Sequence, residues 1–292
     1  MKRLLALALW FFAFAPAAAQ DEVFDLHVHI WNGAESVAAY EAQLRETGQS
    51  VTRFGAIHMA VQGRIEETRA KNDELLALAA AHPNLPIPSV HPYDGDAALD
   101  ELRRLAARNV RAIKLHPHTQ RFDVDDPRVR ALCEEAGRLG IVVLIDNANI
   151  VPGDNQKLFN LAVAVPGTRF ILTHMGGLEF RFWNLLALVR TTDGFFADNI
   201  YFDISATIAL IADSPLEAEF VWTIRNVGVD HVLLGSDYPQ MSLAEAVTAL
   251  ERLDLTPEER AQIRWGNAER LLLGDPLDGP ARQSRQILRR NE

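Results

Sequence analysis

Within VFDLHVHI, residues 23–30, two histidines stand one residue apart in a run that is otherwise almost wholly apolar. Strand side chains alternate, so His27 and His29 share a face with Asp25 and Val23, opposite Phe24, Leu26, Val28 and Ile30. A lone histidine in such a run is ordinarily a hydrogen-bonded core residue. A pair at the end of an apolar strand can reach one cation from the same side. Ligating or titratable residues also close later apolar runs: Lys114 and His116 in VRAIKLH, Asp146 in IVVLID, His174 in RFILTH and Asp237 in HVLLGSD. Core packing does not account for five runs that each end this way. A catalytic divalent ion takes three or four nitrogen or oxygen ligands and leaves one position open for water. It acidifies that water and polarises a carbonyl, while a neighbouring free carboxylate relays the proton.

Such residues converge only if the elements carrying them point one way. Strand-like runs lie at 23–30, 53–61, 85–90, 110–116, 141–146, 169–174, 200–205 and 231–237, with amphipathic stretches at 35–47, 64–82, 96–108, 126–139, 155–164, 178–190, 215–227 and 242–253. Near-continuous apolar strands alternating with helices imply a parallel sheet covered by helices. Eight such units predict a single-domain (β/α)8 TIM barrel, whose chemistry sits at the C-terminal strand ends. An open doubly wound sheet fits less well, because no glycine-rich dinucleotide fingerprint follows the first strand. A ninth helix is signalled by Thr256-Pro257-Glu258-Glu259 and runs to Gly274, and residues 275–292 form a polar tail.

Residues 1–19 pair Lys2 and Arg3 with an apolar run and Ala17-Ala18-Ala19, the pattern of a secretory signal too short to span a membrane. Cleavage after Ala19 would leave an exported chain, periplasmic or secreted, with its main domain at 20–274. Losing Lys2 and Arg3 takes the formal charge from −10 to −12. That balance argues against nucleic acid and anionic membranes as partners. The expected partner is a small-molecule substrate, and a homo-oligomer is compatible with the sequence. The single cysteine, Cys133, permits no internal disulfide and reads as a packed apolar residue.

Five segments, DLHVH (25–29), AIKLHP (112–117), FILTHMGG (170–177), LGSDYP (234–239) and WGNAERL (265–271), resemble the amidohydrolase-related group of the metal-dependent amidohydrolase superfamily. The resemblance implies a (β/α)8 barrel that often carries one zinc, and hydrolysis of amides or lactones or, in some members, decarboxylation of aromatic or related acids. It implies His27, His29 and Asp237 as ligands, with His174 a ligand or a polarising group. One departure stands out: the family's usual strand-five histidine is here Asp146. Three models follow, in order of preference. Asp146 ligates the ion through oxygen; Asp146 pairs with a Lys114 ammonium; or Lys114 is carboxylated and bridges two metals. The expected cofactor is one divalent ion, zinc first and manganese or iron next, with no organic cofactor. Trp31, His116, Arg121, Arg181 and Trp183 are candidate substrate contacts, and Gly176-Gly177 allow a tight turn. The leading functional reading is hydrolysis of a small amide or lactone with Asp237 and His174 as catalytic groups. Decarboxylation of a small acid is the first alternative, and a non-catalytic binding protein the second.

Overall fold

In the computed structural model, residues 22–274 are described, so the signal and tail expectations lie outside the described residues. The eight apolar runs form strands β1 (Phe24–His29), β2 (Arg53–Ile57), β3 (Asn84–Ile87), β4 (Ala112–Leu115), β5 (Val142–Asp146), β6 (Phe170–Thr173), β7 (Ile200–Asp203) and β8 (Val232–Leu233). All ladders are parallel, in the order β1-β2-β3 and β4-β5-β6-β7-β8. The seams close through bridges between Ser89 and Lys114 and between Val28 and Tyr238. The latter is reinforced by Asp237 N–H donating to His27 O at 2.9 Å and His29 N–H donating to Tyr238 O at 2.9 Å. The protein is thus a (β/α)8 barrel.

Its floor is apolar. Phe24, Leu26, Ala112, Leu144, Ile171 and Leu233 fill the interior, and the last helical segment caps it, with Trp265 5.9 Å from Phe24 between ring centroids. The helix start read at Thr256 is present: Thr256 Oγ1 accepts from Glu259 N–H at 3.2 Å and Glu259 Oε2 from Thr256 N–H at 2.8 Å. Cys133 is fully buried between helix and sheet, and burial pushes its thiol up to about 12.

Strict alternation fails in β1. Its register against β2 shifts between Asp25 and Val28. An extra residue in one strand reverses which face the later side chains occupy. Phe24 and Leu26 therefore join the barrel interior, while Val28 and Ile30 pack outward with Tyr40 of helix Ala34–Thr47. Asp25 does not share the histidines' face as alternation implies; it accepts from Tyr40 Oη at 2.7 Å and from Ser236 N–H at 2.7 Å. Gly55 makes room for the shift, since a Cβ there would lie 2.3 Å from Leu26 O.

Candidate metal centre

Above the apolar floor, the interior positions turn polar at the C-terminal strand ends. His27, His29 and Asp237 each present a ligand atom within 4.8 Å of the others. His27 Nε2 and His29 Nε2 both lie 3.3 Å from Asp237 Oδ1. Burial alone would raise Asp237, but the two imidazoles and His174 hold its carboxyl below the usual range. Burial, with Lys114 adding to it, keeps His27 well below the ordinary imidazole value.

The other nitrogen of His27 fixes its tautomer. His27 Nδ1 lies 2.8 Å from Asp203 Oδ2 and 2.9 Å from Ser205 Oγ, so it carries the proton and Nε2 keeps a lone pair. Asp203 and Ser205 are fully buried and went unassigned in the sequence, although Asp203 ends an apolar run just as Asp146 does. Gly235 lets β8 approach this pair, since a Cβ there would stand 2.8 Å from His27 Cβ and 2.9 Å from Asp203 Oδ1. His29 Nδ1 is buried without a hydrogen-bond partner, and the His29 ring stacks on Trp31 at 5.0 Å. Two neutral imidazoles and an ionised carboxylate are a fitting ligand set for a divalent ion such as zinc or manganese.

Lys114 lies fully buried beside this trio, donating to Thr173 Oγ1 at 3.0 Å and facing His27 Nε2 at 3.3 Å. Burial lowers its pKa, opposed by the charges of Asp146, Asp203 and Asp237. The lone pair of His27 Nε2 can serve Lys114 or an ion, but not both at once. No ion pair joins Lys114 to Asp146 within 4.0 Å among the described residues, so the pairing model has no contact behind it.

Asp146 turns instead to His174, with Oδ2 3.1 Å from His174 Nε2 and 3.6 Å from His116 Nε2. His174 Nδ1 lies 3.0 Å from Ser205 O. His174 Nδ1 also lies 3.3 Å from Ser205 Oγ; with Ser205 O at one ring nitrogen and Asp146 at the other, acceptors are available to both, an arrangement that favours the protonated ring. Burial opposes that charge, yet the Asp146 hydrogen bond and the surrounding carboxylates raise His174 to about 9. Burial takes His116 the other way, to about 4. The structure therefore brings His27, His29 and Asp237 together as one group and sets Asp146 with His174 as a second.

Asp237 of the first group and both members of the second line a pocket of about 570 Å³. His174, Ala206 and Asp237, all on its wall, have φ of 66°, 56° and 69°. Left-handed backbone at non-glycine residues costs on the order of 1–3 kcal/mol each and is characteristic of functional sites. The turn after His174 follows the glycine pair: Gly176 and Gly177 have φ of 83° and 58°, and a Cβ at Gly177 would lie 2.4 Å from Ala148 O.

Three candidate contacts are corrected. Trp183 is fully buried in the helix–sheet core, 5.1 Å from Phe202, and backs the Gly176 turn instead of facing substrate. Arg181 is drawn away to Glu219, with Nε 2.5 Å from Oε1. Arg121 stays exposed on its loop, with a left-handed φ of 60°, and does not line the pocket. His116 does line it, and Trp31 stands half-exposed against His29.

A family model described as Amidohydrolase matches residues 24–273. Gamma-resorcylate decarboxylase from Polaromonas sp. strain JS666 is 27% identical over 121 residues, which cover 36% of this chain and 34% of that protein. The chain thus matches about a third of the length of this curated relative. Among solved structures, 5-carboxyvanillate decarboxylase from Sphingomonas paucimobilis superposes with a TM-score of 0.65 at 17% identity, covering 87% of this chain and 99% of that one. A dihydroxybenzoic acid decarboxylase from Polaromonas sp. JS666, with bound manganese and the inhibitor 2-nitroresorcinol, does so with a TM-score of 0.61 at 17% identity, covering 87% and 97%.

Proposed function

The chain belongs to the amidohydrolase family, and on that premise we propose that it is a metal-dependent decarboxylase of a small aromatic acid. His27, His29 and Asp237 would hold one divalent ion, manganese or zinc. When bound, the ion would supply Lewis-acid polarisation of the substrate carboxylate and an adjacent oxygen. The observation that carries the reading is His174, whose two ring nitrogens both face acceptors beside the ligand trio.

Decarboxylation needs a proton donor, because the electron pair left by departing carbon dioxide must be capped by a proton on carbon. The N–H that His174 shares with Asp146 is placed to give it. Asp146 holds the imidazolium in place, as a carboxylate beside a proton-transferring histidine does. Hydrolysis needs a free carboxylate to take a proton from water; with Asp237 in the ligand set and Asp146 Oδ2 3.1 Å from His174 Nε2, neither is free for that role. The order of the two enzymatic readings is therefore the reverse of the one taken from sequence. That the named relatives are decarboxylases supports the same order.

Export after cleavage at Ala19 remains part of this proposal. The activity test incubates manganese-loaded protein in deuterated water with hydroxybenzoates and, separately, with small amides and lactones. Carbon dioxide and a singly deuterated arene in equal amounts are expected. Amide or lactone cleavage without carbon dioxide release would reject the reading.

A further inference from the structure

Resting on the decarboxylase reading, we infer that the substrate carries one anionic head and an apolar, uncharged tail that lies along the pocket mouth. The pocket wall changes character with height. Its floor is polar, with Asp146, His174 and Asp237, whereas its rim carries Ile150, Leu178 and Leu210, which are 80%, 56% and 60% exposed. Exposed large aliphatic side chains scattered singly need no explanation, but three lining one pocket give its mouth an apolar share. At about 570 Å³ the pocket falls in the range that encloses drug-sized ligands, leaving room beyond a single ring.

Charge narrows the class further. Among the described residues lining the pocket there is no arginine or lysine, and Glu179, next to Leu178 in the chain, is exposed. A second carboxylate or a phosphate on the distal part of the ligand would meet Glu179 with no cation to answer it. An alkyl or aryl substituent would meet Ile150, Leu178 and Leu210. Asp146, His174 and Asp237 line the same pocket as these three side chains, so a molecule whose head reaches His174 can lay its tail against them.

Calorimetry of the manganese-loaded full chain with 2-hydroxybenzoate, its 4-propyl derivative and its 4-carboxy derivative tests this, with carbon dioxide release measured separately. The propyl compound is expected to bind about tenfold tighter than the parent, as partial burial of its methylenes implies. The carboxy compound is expected to bind about tenfold weaker, through unanswered like charge. Leu178→Ser combined with Leu210→Ser should bring the propyl-to-parent ratio to within about twofold, and Glu179→Arg should improve binding of the carboxy compound. A propyl advantage untouched by the double substitution, or a carboxy compound that binds as well as the propyl one, would overturn the inference. So would self-association that the double substitution abolishes, with no propyl preference, since the rim would then belong to a second copy. If the decarboxylase reading itself fails, no compound releases carbon dioxide while the order of binding still reports on the rim.

Discussion

Replacing Asp203 by asparagine tests whether the tautomer of His27 underlies metal binding. Asp203 Oδ1 accepts from Ser205 N–H at 2.6 Å, and an asparagine can keep that bond with its amide oxygen. Its amide nitrogen would then occupy the position of Oδ2, 2.8 Å from His27 Nδ1, and offer a proton where the carboxylate accepts one. The imidazole would be driven to protonate Nε2, the atom that faces the ligand group. Loss of a carboxylate behind a ligating histidine typically weakens metal binding 10–100-fold, about 1.4–2.8 kcal/mol. Ser205 Oγ, 2.9 Å from the same nitrogen, can still accept its proton. We therefore expect Asp203→Asn near the tenfold end and Asp203→Asn with Ser205→Ala near the hundredfold end. Chelator competition with manganese gives the affinities, and urea unfolding shows that folded protein is being compared. Affinity within about twofold of the parent in the double variant would refute the tautomer argument.

Asp146→Ala should leave the metal affinity nearly unchanged while cutting turnover about 10²–10⁴-fold, the usual contribution of a positioned proton donor. A sharp loss of metal from that variant would return Asp146 to the ligand set. Lys114→Met should keep one ion per chain and tighten it, because the competitor for His27 Nε2 is gone; a loss of metal would instead favour the carboxylated-lysine model. Trp183→Ala should cost about 3–5 kcal/mol in urea unfolding, as for a fully buried aromatic, whereas a substrate contact would change affinity with little change in stability. N-terminal sequencing of exported protein should begin at Gln20, and an intact Met1 would defeat the signal reading.

The barrel was legible because a parallel strand buried on both faces must be apolar along its length, so each run declared itself and its polar end marked the catalytic rim. The same rule exposed His27, His29, His174 and Asp237. It applies equally to Asp203, which follows the apolar residues of IYFDIS. The shift in β1 was not legible, because its enabling residue is Gly55 in the neighbouring strand and its need arises only once Leu26 O is in place. The contact of Asp146 with His174 was not legible either, since the two residues sit on different strands and only the folded barrel sets their distance. Arg121, Arg181 and Trp183 lie beyond strand ends, where local backbone turns set side-chain direction and periodicity carries no information. The same holds for Leu178, Ile150 and Leu210, whose place in the pocket is set by loop and helix-start geometry.

Manganese stoichiometry, measured on folded protein with and without His27→Ala and His29→Ala together, tests the metal centre most directly. About one ion is expected per parent chain and none in the double variant, with the circular dichroism of the barrel retained. A double variant that keeps a full ion per folded chain would mean that His27 and His29 are structural, against the ligand assignment.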